Sequence, residues 1–107
     1  MLETEFHIKA DNYLQTLLEF FEELEESQDI SVELDSGVLS LIMPDDKEYI
    51  INKHTPSRQI WVSSPYSGAG YFEPAENENN EFLPKRAPQA AGKSLFEFIK
   101  GEVLAHL

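Results

Sequence analysis

Apolar residues between Phe6 and Leu24 recur at steps of three and four, the spacing that stacks side chains on one face of a helix. The apolar positions are Phe6, Ala10, Leu14, Leu17, Phe21 and Leu24. At about 100° per residue, the opposite face carries Glu19, Glu22, Glu23 and Glu26. Because the apolar stripe must be buried, we predict an amphipathic helix whose carboxylates point to water.

From Ile30 onward the apolar spacing changes to two, which is typical of half-buried strands separated by turns. The predicted strands span 30–35, 38–43, 49–53 and 59–63, with a short strand around 71–72 and an edge strand at 82–83. Pro84 should end that last strand or confine it to the sheet margin. We expect residues 67–70 to be flexible, and residues 73–81 and 88–92 to form loops.

A second helix is predicted near the end of the chain. Ser94 and Glu97 have the spacing of a capping box, and the residues after it place an apolar stripe on Leu95, Ile99, Val103 and Leu107. Strands joined by short turns imply an antiparallel sheet, and two amphipathic helices must cover one of its faces. We therefore predict an α+β two-layer sandwich, with the N- and C-terminal helices packed roughly parallel on five to six strands. The 107 residues should form a single domain, 1–107.

The charge of the chain restricts its partners. Twenty Asp and Glu oppose eight Lys and Arg, which gives a formal net charge of −12. A nucleic-acid-binding protein needs basic side chains to displace counterions from phosphates, so this surface would repel a polyanion. An anionic membrane surface is disfavoured for the same reason. Cations and basic protein surfaces are the expected partners.

The residue types also exclude several kinds of chemistry. The sequence has no Cys, which excludes disulfides, thiolate zinc sites and protein-ligated iron–sulfur clusters. His7, His54 and His106 do not form the i, i+4 pair of a helical metalloprotease. Neither a G-x-S-x-G elbow nor a phosphate-binding G-x-x-x-x-G-K motif occurs. We assign no catalytic residue, no haem and no nucleotide.

The carboxylates are concentrated at the start of the chain, where eleven of the twenty lie in the first 35 residues. Lys9 is the only Lys or Arg before Lys47. Anions near a helix C-terminus cost about 0.3–1 kcal/mol each when exposed, and no lysine is interleaved to offset that cost here. A solvated helix face would explain the cluster, but an uncorrected cost suggests that the negative field is used.

Exposed carboxylates are hard ligands suited to Fe²⁺, Fe³⁺, Mn²⁺ or Ca²⁺. These side chains spread over a convex helix and include neither His nor Cys. We therefore expect weak, labile binding with few protein ligands per ion, rather than an enclosed metal site.

Trp61 is the only tryptophan. In its predicted strand, Ile60 and Val62 share one face, and Gln59, Trp61 and Ser63 share the other. If the helices cover Ile60 and Val62, Trp61 lies on the open side of the sheet, where an exposed indole is typical of a protein-interaction site. Reversed faces would instead place Trp61 in the core.

Residues 52–65, NKHTPSRQIWVSSP, closely resemble the signature of the frataxin family. The flanking segments also match: SGVL at 36–39, GKSL at 92–95, EFH at 5–7 and the acidic first helix. The resemblance spans essentially the whole chain. Two departures are Gly70, where mitochondrial members usually have a basic residue, and Phe82, where the last strand commonly carries Trp.

The resemblance implies an α–β sandwich that acts in iron–sulfur cluster biogenesis by binding the cysteine desulfurase and its scaffold protein. It also implies weak binding of Fe²⁺ and Fe³⁺. Carried over by position, the metal-binding residues would be Glu19, Glu22, Glu23, Glu26, Asp29 and Glu33. The partner-binding residues would be Asn52, Gln59 and Trp61.

Three functions compete at this point. The leading hypothesis is an iron-binding regulator or iron donor that binds the desulfurase–scaffold complex. The alternative is a ferroxidase that oxidises iron and stores it on surface carboxylates, which ranks lower because oxidation favours a fixed dinuclear site. The third is an acidic adaptor with no metal role. We expect a monomer that could form oligomers with iron.

The segment SSP at 63–65 resembles the mitochondrial branch of the family. The expected location is therefore the mitochondrial matrix, with a presequence trimmed. The bacterial cytoplasm is the alternative.

Overall fold

The computed structural model describes residues 1–76 and 80–107. Within that part of the chain it has two α-helices and one six-stranded antiparallel sheet. The elements are α1 (Glu3–Glu25), β1 (Ser31–Asp35), β2 (Val38–Ile42), β3 (Glu48–His54), β4 (Gln59–Ser64), β5 (Gly68–Pro74), β6 (Phe82–Arg86) and α2 (Leu95–Ala105). Strand order in the sheet follows chain order, so β1 and β6 are its edges. The predicted α+β sandwich is confirmed.

The core lies between the helices and one face of the sheet. Its fully buried residues include Phe6, Leu14, Leu17 and Phe21 from α1, Leu39, Leu41, Ile51, Ile60 and Phe72 from the sheet, and Leu95, Ile99 and Val103 from α2. The predicted stripe of α1 is confirmed, although Leu24 is only half-buried. The α2 stripe was extended too far, because the helix ends at Ala105 and Leu107 is 41% exposed.

A two-residue turn joins β1 to β2 and sets their register. Ser36 and Gly37 have φ angles of 51° and 79°, which is the left-handed pair that a tight hairpin requires. Asp35 therefore pairs with Val38, and Glu33 pairs with Ser40. Because side chains alternate between the faces, Glu33 and Asp35 are exposed on the side away from the helices.

The prediction of flexibility at residues 67–70 was wrong, because β5 begins at Gly68. Gly70 is buried, and a Cβ there would lie 2.9 Å from the Ala87 Cβ and 3.0 Å from Gln89 Nε2. This close approach leaves no room for a basic side chain at residue 70.

The prediction of one exposed loop over 73–81 was also wrong in part. Glu73 and Pro74 belong to β5, Ala75 is buried, and residues 77–79 lie outside the described part of the chain. β6 continues through Pro84 to Arg86. The Ala75 N–H donates to the Glu81 carbonyl at 3.0 Å, so by alternation Pro84 turns its missing N–H to the outer edge, where proline is tolerated.

Candidate functional site

We call Glu19, Glu22, Glu23, Glu26, Asp29 and Glu33 the acidic ridge. All six are exposed. Glu19, Glu22 and Glu23 lie on the solvent side of α1, Glu26 caps the C-terminus of that helix, and Asp29 lies in the turn that follows. Glu33 lies on β1, on the sheet face away from the helices. The structure therefore spreads these acids from α1 around the sheet edge.

The ridge carries no neutralising ion pair in the described parts of the chain, 1–76 and 80–107. The ion pairs found there join Lys47 to Asp45 at 3.9 Å and Lys53 to Asp11 at 2.7 Å. Lys9 points elsewhere, since its Nζ donates to the Ala75 carbonyl at 3.2 Å. Within the same residues, no three His, Asp or Glu side chains converge in a geometry that could hold a metal. The ridge is an open negative surface.

Glu25 belongs to the same acidic run but has a different role. Its Oε2 accepts a hydrogen bond from the Val32 N–H at 2.8 Å. In the β1–β2 register, Val32 turns its N–H to the outer edge of the sheet, so Glu25 caps an edge donor and joins α1 to β1. The sequence contained one indication of this contact: Glu25 lies four residues after Phe21, which places it beside the apolar stripe of α1.

We call the sheet face away from the helices the open face. Ile60 and Val62 are buried on the helix side at 0% and 2% exposure, so Trp61 between them lies on the open face, half-buried. Trp61 pairs with Asn52 on β3 and with Tyr71 on β5. The alternative that placed Trp61 in the core is wrong.

A row of three aromatic rings crosses the open face. The His54 ring stacks on Trp61 with centroids 3.6 Å apart and an interplanar angle of 13°, and Tyr71 lies 5.1 Å away on the other side. The predicted third strand ended at residue 53, but β3 extends to His54, which pairs with Gln59. Its spacing of two from Asn52 was the signal that both share one face.

Hydrogen bonds hold Trp61 in position. The Trp61 Nε1–H donates to Gln59 Oε1 at 2.9 Å, and the Ser57 hydroxyl donates to the same oxygen at 3.1 Å. His54 Nδ1 lies 2.7 Å from Ser57 Oγ. Of the predicted partner-binding residues, Gln59 thus supports the indole, while Asn52 and Trp61 lie side by side.

Two tyrosine hydroxyls bind carboxylates beneath the sheet and tie the layers together. Tyr49 Oη donates to Glu102 Oε1 at 2.8 Å, and Tyr13 Oη donates to Glu81 Oε1 at 2.6 Å. Burial raises the pKa of both tyrosines well above the ordinary range, and the hydrogen bond to the carboxylate raises each further. These contacts connect β3 with α2, and α1 with the start of β6.

Neither helix in residues 1–76 and 80–107 has an apolar stretch long enough to cross a bilayer.

Several known proteins are similar to this chain in sequence. The model of the frataxin-like domain matches residues 1–107. The mitochondrial frataxin homolog of Saccharomyces cerevisiae is 44% identical over 71 residues, covering 64% of this chain and 41% of the yeast protein. The iron–sulfur cluster assembly protein CyaY of Vibrio atlanticus is 33% identical over 106 residues, covering 99% of this chain and 92% of CyaY. The chain spans 35–48% of the length of the yeast, fission yeast and Dictyostelium mitochondrial relatives.

Solved structures share its fold. A crystal structure of trimeric yeast frataxin complexed with ferrous iron aligns with a TM-score of 0.76 at 37% identity, covering 92% of this chain and 84% of that one. Frataxin from Psychromonas ingrahamii aligns with a TM-score of 0.77 at 22% identity, covering 98% and 90%, which supports the fold alone. Because the family model matches residues 1–107, this chain belongs to the frataxin family.

Proposed function

We propose that this chain is an iron-binding regulator or iron donor in iron–sulfur cluster assembly, and that residues 1–107 act as one domain. It would bind a cysteine desulfurase and its scaffold protein through the acidic ridge and the open face. The observation that carries the proposal is the exposed, unneutralised ridge on the same molecule as a half-buried indole on the open face. Family membership and the names of its relatives support the pathway.

The ridge suits a labile cation. Its six exposed carboxylates supply hard oxygen ligands without a preformed cage. An ion there would keep much of its water shell and dissociate readily, as a donor of Fe²⁺ requires. The same field would attract a basic partner surface and raise its association rate. The yeast relative crystallised with ferrous iron supports iron as the cation.

The open face suits a protein partner. Trp61 is held rigid by Gln59 and flanked by two rings, so docking costs little side-chain entropy. A half-buried, preorganised indole among polar neighbours is typical of residues that dominate interface energies. We assign partner contact to Asn52 and Trp61, and support of the indole to Gln59.

The ferroxidase alternative gains no support from the geometry. Oxidising Fe²⁺ efficiently favours ligands that converge on fixed metal positions, and the ridge carboxylates are dispersed over α1, a turn and β1. Oxygen consumption with Fe²⁺ tests this point. Saturable turnover that disappears in the Glu22/Glu23/Glu26→Gln variant would establish the enzyme.

The docking proposal is tested by pull-down and sulfide release with a cysteine desulfurase and scaffold protein, with and without Fe²⁺. Trp61→Ala should abolish the effect on the desulfurase while the circular dichroism spectrum stays unchanged. Unaltered activity in this variant would remove the open face from the mechanism.

Cation binding at the ridge is tested by NMR titration with Co²⁺. We expect changes at ridge amides that are lost in Glu22/Glu23/Glu26→Gln. The matched control, Glu3/Glu5/Glu48→Gln, removes the same charge from exposed acids outside the ridge and should retain the response. A wild-type spectrum without ridge changes would favour an adaptor with no metal role.

Matches to both mitochondrial frataxins and a bacterial CyaY are consistent with two locations. We propose the mitochondrial matrix, with the bacterial cytoplasm as the alternative.

A further inference from the structure

The hydrogen bonds around Trp61 determine which nitrogen of His54 carries the proton. An indole N–H can only donate, so the Gln59 atom 2.9 Å from Trp61 Nε1 is the amide oxygen. An amide oxygen can only accept, so the Ser57 hydroxyl at 3.1 Å must donate to it. The orientation of Gln59 thus follows from the indole, and the orientation of Ser57 follows from Gln59.

Ser57 has one hydroxyl hydrogen, and it is directed at oxygens that can only accept: Gln59 Oε1 at 3.1 Å and, more distantly, the His54 carbonyl at 3.5 Å. Toward the His54 ring, Ser57 can therefore only accept, and the nitrogen 2.7 Å away must be the donor. That nitrogen is Nδ1. Neutral His54 consequently holds its proton on Nδ1 and keeps a lone pair on Nε2.

The Nε2 atom is available to a ligand. No donor among residues 1–76 and 80–107 bonds to it, and no carboxylate there lies within ion-pair distance of the imidazole. The lone pair lies in the ring plane, and that plane is within 13° of the indole plane. The imidazole therefore covers part of one indole face, and its lone pair points along a plane roughly parallel to that face.

We propose that His54 is a specificity-determining residue of the open face, whose Nε2 accepts a hydrogen bond from an arginine of the docking partner while the guanidinium packs against Trp61. The proposal rests on the docking function above. Arginine is the fitting occupant because it offers directional N–H donors and a planar cation that stacks on aromatic rings. A molecule of net charge −12 also attracts cationic side chains.

The charged groups nearest to His54 leave this site neutral. Lys53 points to the helix side and pairs with Asp11, and the Arg58 guanidinium bonds to the Thr55 carbonyl. On β4 the facing groups are the uncharged Gln59 and Trp61. Beyond Tyr71, the exposed Arg86 pairs with that tyrosine across the β5–β6 ladder.

Two variants separate the acceptor from the stacking. His54→Phe keeps a flat ring on Trp61 but has no nitrogen, and His54→Gln keeps an acceptor that takes up no proton. Affinity for the desulfurase–scaffold complex should fall about tenfold in His54→Phe at pH 8, the range expected for a lost bond to a charged donor. His54→Gln, which keeps an acceptor at this position, should retain near-wild-type affinity under the same conditions.

The tautomer itself is read by ¹⁵N NMR of the full chain with labelled histidine. We expect the proton on Nδ1 in wild type and a shift toward Nε2–H in Ser57→Ala. A wild-type spectrum with the proton on Nε2 would overturn the proposal. So would undiminished docking of His54→Phe when Trp61→Ala fails to bind. If Trp61→Ala also binds normally, the docking function is refuted as well.

Discussion

Ser64 is expected to contribute more to stability than any other serine, because it is 6% exposed and joins three segments. Its hydroxyl donates to the Glu102 carboxylate on α2 and accepts from the backbone N–H groups of Tyr66 and Ser67, each at 3.0 Å. Ser64→Ala removes all three bonds at once. It leaves two turn amides without a partner, whereas Glu102 Oε1 keeps its hydrogen bond from Tyr49.

The magnitude follows from the number of bonds. A hydrogen bond contributes about 1 kcal/mol net, so three bonds give ~3 kcal/mol, reduced to ~2 kcal/mol if water reaches the turn amides. That is a large share of the ~5–15 kcal/mol that stabilises a typical domain. For a domain of this size, each kcal/mol lowers the Tm by about 4–8 °C. We expect a drop of roughly 10–20 °C by differential scanning calorimetry.

Ser63→Ala is the matched control. Ser63 is the preceding residue, exposed on the open face, and its replacement should change the unfolding free energy by less than about 0.5 kcal/mol. Urea titration of both variants gives the free energies directly. Equal losses in the two variants would show that the Ser64 bonds add nothing beyond the loss of a strand serine.

Three further changes test other contacts. Glu25→Ala should lower the free energy of unfolding in urea by about 1–2 kcal/mol, because it removes the hydrogen-bond acceptor for the Val32 N–H at the β1 edge. Glu26→Ala, which deletes the same charge at an exposed position, should leave stability nearly unchanged. Equal effects of the two changes would contradict the role of Glu25. Gly70→Ala should lower the free energy of unfolding by roughly 1–3 kcal/mol, because its new Cβ would lie 2.9 Å from the Ala87 Cβ. Gly101→Ala, in helix α2 with open space around it, should be neutral or stabilising. A Gly70→Ala variant of unchanged stability would show that β5 and the segment after β6 can separate. The raised pKa of Tyr49 means that the tyrosine of the unfolded chain ionises first, near pH 10. The stability that Tyr49 gives the fold is therefore full below about pH 10 and is lost as the pH rises above it. The free energy of unfolding should fall more steeply between about pH 9 and 11 in wild type than in Tyr49→Phe, and parallel profiles would refute this.

Much of the fold could be predicted because it follows from local periodicity. A helix stripe and a strict two-residue alternation specify which residues share a face, so Trp61 was predicted to lie opposite Ile60 and Val62, while the side that the helices cover was left open. The exposed ridge follows from the same argument applied to α1. These inferences need no knowledge of which elements become neighbours.

The contacts that could not be predicted depend on neighbours far apart in the sequence. Pro84 was expected either to end the last strand or to lie at the sheet margin, and the structure shows the second, with β6 as an edge strand that continues to Arg86. Gly70 looks like a flexible linker until Ala87 is packed against it. Glu25 looks like a ridge acid until the outer N–H of Val32 lies within hydrogen-bond distance. For Gly70 and Glu25 the missing information is the contacting partner, which only the tertiary structure supplies.

In the proposed function, β1 connects the acidic ridge with the open face. It carries Glu33 of the ridge on the same sheet face as Trp61, and Glu25 joins it to the helix that bears the other ridge acids. The β1–β2 turn allows only one register, because a slip by one residue would move every side chain to the other face. A cation on the ridge would therefore act on a docked partner through the electrostatic field, which salt screens over about 8–10 Å, and not through a movement of the sheet.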